Sequence, residues 1–220
     1  MDHHQFDIEQ SRHWMINHQI RPWNVFKPAV LNSFSEIHRE EFVPEAYRKL
    51  AFADTEIPLP DGRRMLKPVL EGRLLQALEL ADEHDVLVIG TGSGFFTALI
   101  ATTASHVTAI DNSEELTNYA QTKLGLARIG NVTLTTADFS DWAPDRQFDR
   151  IVVTGGLADF DERLAEWLKD GGFAIAPIGE APNMNVERIA RDGDSYSRTR
   201  LFETVVPALR GAPAPSDFSF

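Results

Sequence analysis

Cysteine is missing from all 220 residues of the sequence. Its absence excludes a disulfide framework, a thiolate metal site and a cysteine nucleophile. A membrane-spanning helix needs roughly 20 consecutive apolar residues, and no such run occurs, so we expect no contact with a membrane. The first residues, MDHHQFDIEQ, are polar and acidic, which is not the pattern of a signal peptide. We therefore expect a cytoplasmic protein.

Positive charge is also scarce, because 21 Lys and Arg residues face 33 Asp and Glu residues and the formal net charge is −12. Nucleic-acid-binding proteins use a basic surface to displace counterions from phosphates, so we expect no nucleic-acid partner. Two adjacent histidines, His3 and His4, are weak candidates for a metal site, and we predict that no metal is bound. Hydrophobic residues at 43% and charged residues at 25% are typical of a globular protein.

The most informative stretch is VLVIGTGSG at residues 86–94. Its apolar half is typical of a strand buried on both faces, and its glycine-rich half turns the chain into a helix predicted over 95–104. A second apolar strand, predicted over 107–110, ends in Asp111, 21 residues after Gly90. This order of elements is typical of the nucleotide-binding half of a doubly wound sheet, in which the acid accepts hydrogen bonds from ribose hydroxyls.

Strands and helices alternate through most of the remaining chain. A helix is predicted from Ser113 to about Arg128. Strands are predicted over 132–135, 148–154 and 173–178, and a hairpin over 186–191 and 200–206. Alternation of this kind produces a parallel sheet that binds its ligands at the carboxyl ends of the strands. We predict an α/β fold with a doubly wound, mostly parallel sheet and an antiparallel C-terminal edge.

The region before about residue 85 contains no predicted strand. Helices are predicted over 5–19, 27–37, 41–50 and 69–81. Three prolines and an Asp-Gly pair in AFADTEIPLPDGRRMLKP mark an irregular loop over 51–68, and such loops often carry function. We predict one structural domain in three parts. Residues 1–68 are N-terminal helices and a loop packed on the core, residues 69–210 are the ligand-binding α/β part, and residues 211–220 are a mobile tail.

The glycine pattern distinguishes between ligand classes. A dinucleotide-binding turn has its third glycine five residues after the first, where this sequence has Phe95. A bulky residue there fits better with a ligand that lacks pyrophosphate, and S-adenosylmethionine is such a ligand. We predict that Asp111 binds its ribose, that Asp138 accepts from the adenine amino group with Phe139 against the ring, and that Thr154 lines the opening where the methyl group leaves. The full set of predicted cofactor-binding residues is Gly90, Thr91, Gly92, Ser93, Gly94, Asp111, Asn112, Asp138 and Phe139.

Several longer segments resemble the protein-L-isoaspartate O-methyltransferase family, and the similarity covers roughly residues 10 to 210. The segments are MINHQIRP, HREEFVPEAYRKLAFADTEIPL, VLVIGTGSGFFTALIA, FDRIVVTGG and LKDGGFAIAPIG. EEFVPEAYRKLAFAD is the most specific, because general methyltransferases lack it. The resemblance implies a Rossmann-like methyltransferase fold. It also implies an O-methyltransferase that uses S-adenosylmethionine to methylate isoaspartyl carboxylates of damaged proteins, a protein-repair reaction.

The sequence departs from that family at two places. The family usually has an acid two residues before the first glycine, where this sequence has Val88. The family also reads Thr-Ile-Ser-Gln-Pro before the fourth helix, with its serine at the methyl-transfer site. The same positions here are Arg64, Met65, Leu66, Lys67 and Pro68.

We take Leu66, Arg64, Lys67 and Thr154 as the candidate residues of the methyl-transfer site. A carboxylate acceptor is ionised at neutral pH and needs no general base, and no convincing base occurs among the motifs. The two cations at positions 64 and 67 suit a peptide or protein carboxylate, or a small anionic molecule. A non-catalytic S-adenosylmethionine-binding protein is the alternative, and a nicotinamide-dependent oxidoreductase is a further one. The sequence gives no prediction of the oligomeric state.

Overall fold

The computed structural model describes residues 7–212, and their N-terminal part is helical. Helix α1 (Ile8–Trp14) begins at Asp7, whose carboxylate accepts a hydrogen bond from the Gln10 amide at 3.0 Å. A π-helical turn and a 3₁₀ turn continue it. The other helical segments of this region are Met15–Ile20 (π), Arg21–Trp23 (3₁₀), α2 (Pro28–Glu36), α3 (Arg39–Phe42) and Glu45–Leu50 (3₁₀). The helix predicted over 41–50 is therefore two pieces, separated at Pro44 because proline has no backbone N–H to donate to a helical hydrogen bond.

The predicted irregular loop contains a small hairpin. Strands β1 (Ile57–Pro58) and β2 (Arg64–Met65) pair antiparallel around a 3₁₀ turn at Pro60–Gly62. Helix α4 (Pro68–Ala77) follows directly, with Pro68 in its first turn, where a missing N–H costs nothing. The hairpin thus holds the residues before α4 in one defined position.

A seven-stranded sheet forms the centre of the described chain. Its strands lie in the order β5-β4-β3-β6-β7-β8-β9, with β3 to β7 parallel and β8 and β9 antiparallel. The strands are β3 (Asp85–Ile89), β4 (His106–Asp111), β5 (Val132–Thr136), β6 (Phe148–Val153), β7 (Leu168–Glu180), β8 (Asn183–Asp192) and β9 (Ser195–Glu203). The other helices are α5 (Phe95–Ala101), α6 (Glu114–Leu126) and α7 (Arg163–Glu166). The predicted mostly parallel sheet with an antiparallel edge is confirmed.

Each face of the sheet is covered by its own apolar core. Val86 and Val88 of β3 point into a core shared with the N-terminal helices, whereas Leu87 and Ile89 point into a second core shared with α7. Alternate residues of a strand face opposite sides, which is why this continuous apolar run is buried on both faces. The first core extends without interruption from Met15 to the sheet, so the N-terminal helices pack on it as expected.

Two elements near the C-terminal edge differ from their predicted bounds. Helix α7 ends at Glu166, and β7 begins at Leu168, five residues before the predicted start at 173, and continues through the glycines at 171 and 172. In the hairpin, Asp192 pairs directly with Ser195, so β9 starts five residues earlier than predicted. The tight turn at Gly193, with φ of 59°, returns the chain at once.

No helix within residues 7–212 combines the length and apolarity that a bilayer crossing requires. The same part of the chain contains no group of three or more His, Asp or Glu side chains that could hold a metal ion. His3 and His4 lie outside the described residues, as do residues 213–220 of the predicted tail.

Candidate functional site

The glycine-rich turn lies at the carboxyl end of β3, in the middle of the sheet. The amides of Gly90 and Thr91 both donate to the Ile110 carbonyl of β4, at 2.8 and 3.2 Å. Gly90 has φ of 94°, and a Cβ atom there would overlap the hydroxyl of Thr154 at the end of β6. That hydroxyl donates to the Gly90 carbonyl at 2.7 Å. Three strand ends therefore meet at a point where only glycine fits.

Asp111 at the end of β4 holds the turn in place. One of its carboxylate oxygens accepts from the Gly92 amide at 3.0 Å, and the other accepts from the Ser113 amide at 3.1 Å. The residue is 6% exposed. Each carboxylate oxygen can accept two hydrogen bonds, so each retains one acceptor position for a ligand hydroxyl. Asp111 can thus hold the glycine turn in place and bind ribose hydroxyls at the same time.

A polar chain connects the loop before α4 with the end of β5. Arg63 donates to the side-chain oxygen of Asn112, and the Asn112 side-chain nitrogen donates to Asp138 at 3.2 Å. The Ser140 amide and hydroxyl both donate to the other Asp138 oxygen, at 3.0 and 2.9 Å. The Ser140 backbone hydrogen bond is the largest of the causes that lower the pKa of Asp138 below its ordinary value. Asp138 is consequently a firmly ionised hydrogen-bond acceptor.

A cavity of about 210 Å³ opens above the glycine turn and Asp111. Its floor is the glycine turn with Asp111 and Thr154, and its walls come from the β1–β2 hairpin and the C-terminal segment. The lining residues are Gly62, Arg63, Arg64, Leu66, Gly90, Gly92, Asp111, Leu116, Thr154, Gly155, Pro207, Ala208, Leu209 and Arg210. The position matches the rule that doubly wound sheets bind ligands at the carboxyl ends of their strands.

Comparison with known proteins gives the family. The family model described as "Protein-L-isoaspartate(D-aspartate) O-methyltransferase" matches residues 10–209. The chain belongs to this family. A protein-L-isoaspartate O-methyltransferase of Dictyoglomus thermophilum is 31% identical over 214 residues, which cover 96% of this chain and 97% of that one. One from Koribacter versatilis is 32% identical and covers 89% and 88% of the two chains.

Solved structures agree on the fold. A Plasmodium falciparum protein described as a protein-L-isoaspartate O-methyltransferase, in complex with S-adenosyl-L-homocysteine, superposes with a TM-score of 0.77 at 17% identity. The match covers 94% of this chain and all of that one. A second structure named protein-L-isoaspartate O-methyltransferase has a TM-score of 0.78 at 21% identity and covers 91% and 65% of the two chains. The predicted family, Rossmann-like fold and S-adenosylmethionine-dependent methyltransferase are confirmed. The oxidoreductase and non-catalytic alternatives are not favoured.

In this methyltransferase, several predicted site residues come together around one cavity. Gly90, Gly92, Asp111, Thr154, Arg64 and Leu66 all line it. Thr91 and Ser93 are buried within the turn, and Gly94 precedes α5. Phe139 is buried against Trp167, and it lines only a small adjacent cavity of about 20 Å³ together with Asn112. Lys67 is exposed at the start of α4 and is not among the lining residues.

Sequence reasoning missed the C-terminal strap, which we define as residues 207–212. The Leu209 amide donates to the Gly156 carbonyl at 2.8 Å, and the Gly156 amide donates to the Pro207 carbonyl at 2.9 Å. Leu209 lines both cavities. Gly211 lies so close to Asp138 that a Cβ atom there would overlap its carboxylate. The composition RGAPAP gave no sign of these contacts, because they join residues far apart in the sequence.

The strap covers the place where we predict that adenine binds. The cavity between Asn112, Phe139 and the strap is only about 20 Å³ and Gly211 lies against the Asp138 carboxylate, so the predicted adenine contact requires Gly211 to move away. We expect Gly211→Ala to displace the strap and to tighten the binding of S-adenosylhomocysteine by about 3- to 10-fold. The reason is that a larger fraction of the protein molecules then has Asp138 uncovered before the ligand binds. Calorimetric titration measures the change. An alanine at Gly130, where no atom lies within 4 Å of the added Cβ, serves as the control. A weaker affinity in Gly211→Ala would contradict the expectation.

Proposed function

We propose that this chain transfers the methyl group of S-adenosylmethionine to the free carboxylate of isoaspartyl residues in peptides and proteins. The proposal rests on one observation: a single cavity is bounded below by the glycine turn and Asp111 and at its mouth by arginines. The relatives that cover most of the chain are named for the same reaction.

The cofactor side of the cavity suits S-adenosylmethionine. Asp111 offers free acceptor positions to ribose hydroxyls, and the Gly90 and Gly92 backbone borders the same space. Asp138 lines neither cavity, and its free acceptor position becomes accessible to the adenine amino group when Gly211 moves away. Phe95 occupies the position at which a dinucleotide-binding turn has glycine, and it is fully buried. When bound, the cofactor supplies a methyl group on a sulfonium that is already activated toward displacement. The protein then contributes alignment and exclusion of water.

The acceptor side of the cavity carries positive charge and no evident base. Arg64 and Arg210 both line it, and their side chains are 55% and 53% exposed. Each forms an ion pair, Arg64 Nε with Glu56 at 3.9 Å and Arg210 Nη1 with Asp61 at 3.5 Å. A guanidinium has five N–H donors, so each of these side chains keeps donors from which a carboxylate can accept. The lining residues include no histidine or lysine, which suits an acceptor that is already ionised.

Leu66 lies where the family has a serine, and it changes the character of the cavity wall. The residue is partly buried, packs against the first core and lines the cavity. An apolar side chain at this position offers the acceptor no hydrogen bond and keeps water from that side of the cavity. The acceptor is thus held by charge rather than by a hydroxyl at position 66.

Labelled methyl transfer to an isoaspartyl peptide tests the proposal. We expect incorporation into that peptide and none into the same sequence with a normal aspartyl residue. Arg64→Gln is expected to raise KM for the peptide about 5-fold, which corresponds to the loss of one exposed charge-assisted hydrogen bond. Lys67→Gln, the matched control outside the cavity, is expected to leave KM unchanged. No labelling of the isoaspartyl peptide by the wild-type protein would refute the proposed acceptor.

A further inference from the structure

Arg39 of α3 is a charged residue with no exposed surface. Its Nε donates to the Ala51 carbonyl at 2.9 Å, and its Nη2 donates to the Leu66 carbonyl at 2.7 Å. Its Nη1 forms an ion pair with Glu71 of α4. The guanidinium also lies 5.0 Å from the centre of the Phe95 ring. All three guanidinium nitrogens have a partner, which compensates for the loss of hydration.

These contacts join the two halves of the site. Leu66 lines the cavity on the acceptor side, and Phe95 is the first residue of α5, directly after the glycine turn on the cofactor side. Glu71 belongs to the helix that follows the hairpin. The guanidinium plane therefore fixes the position of the Leu66 backbone relative to the turn that holds the cofactor.

We propose that Arg39 is a positioning residue for methyl transfer. It sets the distance and direction between the acceptor loop at Leu66 and the glycine turn. In-line displacement depends on this alignment, and a displacement of about 1 Å lowers a rate by about 100-fold. Arg39 does not touch the reacting atoms. The expected change in kcat rests on the proposed function, whereas the expected change in the order of the Leu66 loop rests on the fold alone.

The chain supplies a matched control in a second buried arginine. Arg12 is 3% exposed, and its guanidinium pairs with Glu40, which is 4% exposed. Its other acidic partner is Glu9, at 2.6 Å. This pair joins α1 to α3 and includes none of the residues that line the cavity. Glu40 directly follows Arg39 on α3, so Arg12→Lys tests whether the loss of a buried charge pair at this helix is enough by itself to lower the rate.

Arg39→Lys and Arg12→Lys are compared in the full chain. Lysine keeps the positive charge next to Glu71 or Glu40, but its single nitrogen cannot reproduce the planar set of three donors. We expect kcat for an isoaspartyl peptide to fall about 100-fold in Arg39→Lys, with the S-adenosylhomocysteine affinity within 3-fold of wild type. We expect Arg12→Lys to lower Tm by about as much as Arg39→Lys does, but to keep kcat within 2-fold of the wild type.

A second variant keeps the test valid if Arg39→Lys does not fold. Arg39→Met combined with Glu71→Leu replaces the buried ion pair by apolar groups of similar volume, a change that proteins often tolerate. It provides no donor for the Leu66 carbonyl, so the same fall in kcat is expected. Wild-type kcat in the double variant, or an equal fall in Arg12→Lys, would overturn the inference.

Hydrogen exchange of the amides at residues 64–67 gives a readout that needs no acceptor. We expect faster exchange in Arg39→Lys and unchanged exchange in Arg12→Lys. If the wild-type protein does not methylate the peptide, the proposed function fails, whereas faster exchange in Arg39→Lys alone still supports the positioning role. Unchanged exchange in Arg39→Lys would overturn that role whatever the acceptor is.

Discussion

Asp111→Ala is expected to weaken the binding of S-adenosylhomocysteine by about 10- to 100-fold. A hydrogen bond to a charged group contributes about 1.5–3 kcal/mol, and about 1.4 kcal/mol corresponds to a factor of ten in affinity. The substitution removes the proposed acceptor of the ribose hydroxyls. It also leaves the Gly92 and Ser113 amides without their carboxylate partner, so the turn itself loosens. Isothermal titration of the purified variant measures the change.

Two further substitutions separate these contributions. Asp111→Asn retains an oxygen that accepts from one amide, and we expect an affinity between those of the wild type and the alanine variant. Asp170→Ala removes a carboxylate that accepts from the Gly193 amide at 2.7 Å, at the β8–β9 turn, and is expected to leave the affinity unchanged. Wild-type affinity in a folded Asp111→Ala protein would remove this residue from the binding site.

Phe95→Ala is expected to lower the free energy of unfolding by about 3–5 kcal/mol, the usual cost of truncating a buried phenylalanine. The ring is fully buried. It makes edge contacts with Phe34 and Phe42, at centroid distances of 5.9 and 5.6 Å, so its removal leaves a cavity between the N-terminal helices and α5. Urea unfolding monitored by circular dichroism measures the loss.

An exposed residue on the next helix provides the comparison. Leu126 of α6 is 73% exposed, and Leu126→Ala is expected to change the free energy of unfolding by less than about 0.5 kcal/mol. A loss below about 1 kcal/mol in Phe95→Ala would mean that the N-terminal helices repack freely. In that case Phe95 would not anchor them to the glycine turn.

The parts of the fold that were predictable follow from local patterns. The run of apolar residues before Gly90 indicates a strand buried on both sides. Asp111 follows the next apolar strand along the chain, and this order alone places it at the end of that strand. Asp111, Gly90 and Thr154 meet because the carboxyl ends of parallel strands share one edge of the sheet. The edge of the sheet at which we predict cofactor binding could therefore be located from the sequence.

The other features of the site depend on contacts between residues that are far apart in the sequence, and no local sequence pattern predicts such contacts. The Arg39 side chain donates to the Leu66 carbonyl, but nothing in the local sequence distinguishes Arg39 from a surface arginine of a helix. Gly211 lies next to Asp138 because the chain returns across the sheet after β9. Lys67 and Arg64 carry the same charge in the same loop, yet only Arg64 lines the cavity, because Arg64 pairs with Pro58 in the hairpin whereas Lys67 lies beyond it at the start of α4.

The strap over the carboxyl ends of the sheet has a consequence for turnover. A nucleoside bound at Asp138, as we propose, would have to leave past Gly211, which lies two residues after the backbone hydrogen bond between Leu209 and Gly156. Departure of the demethylated product and entry of a fresh donor would then share one obstacle. Release of the product would therefore be a step of its own, separate from the alignment that Arg39 is proposed to set for methyl transfer.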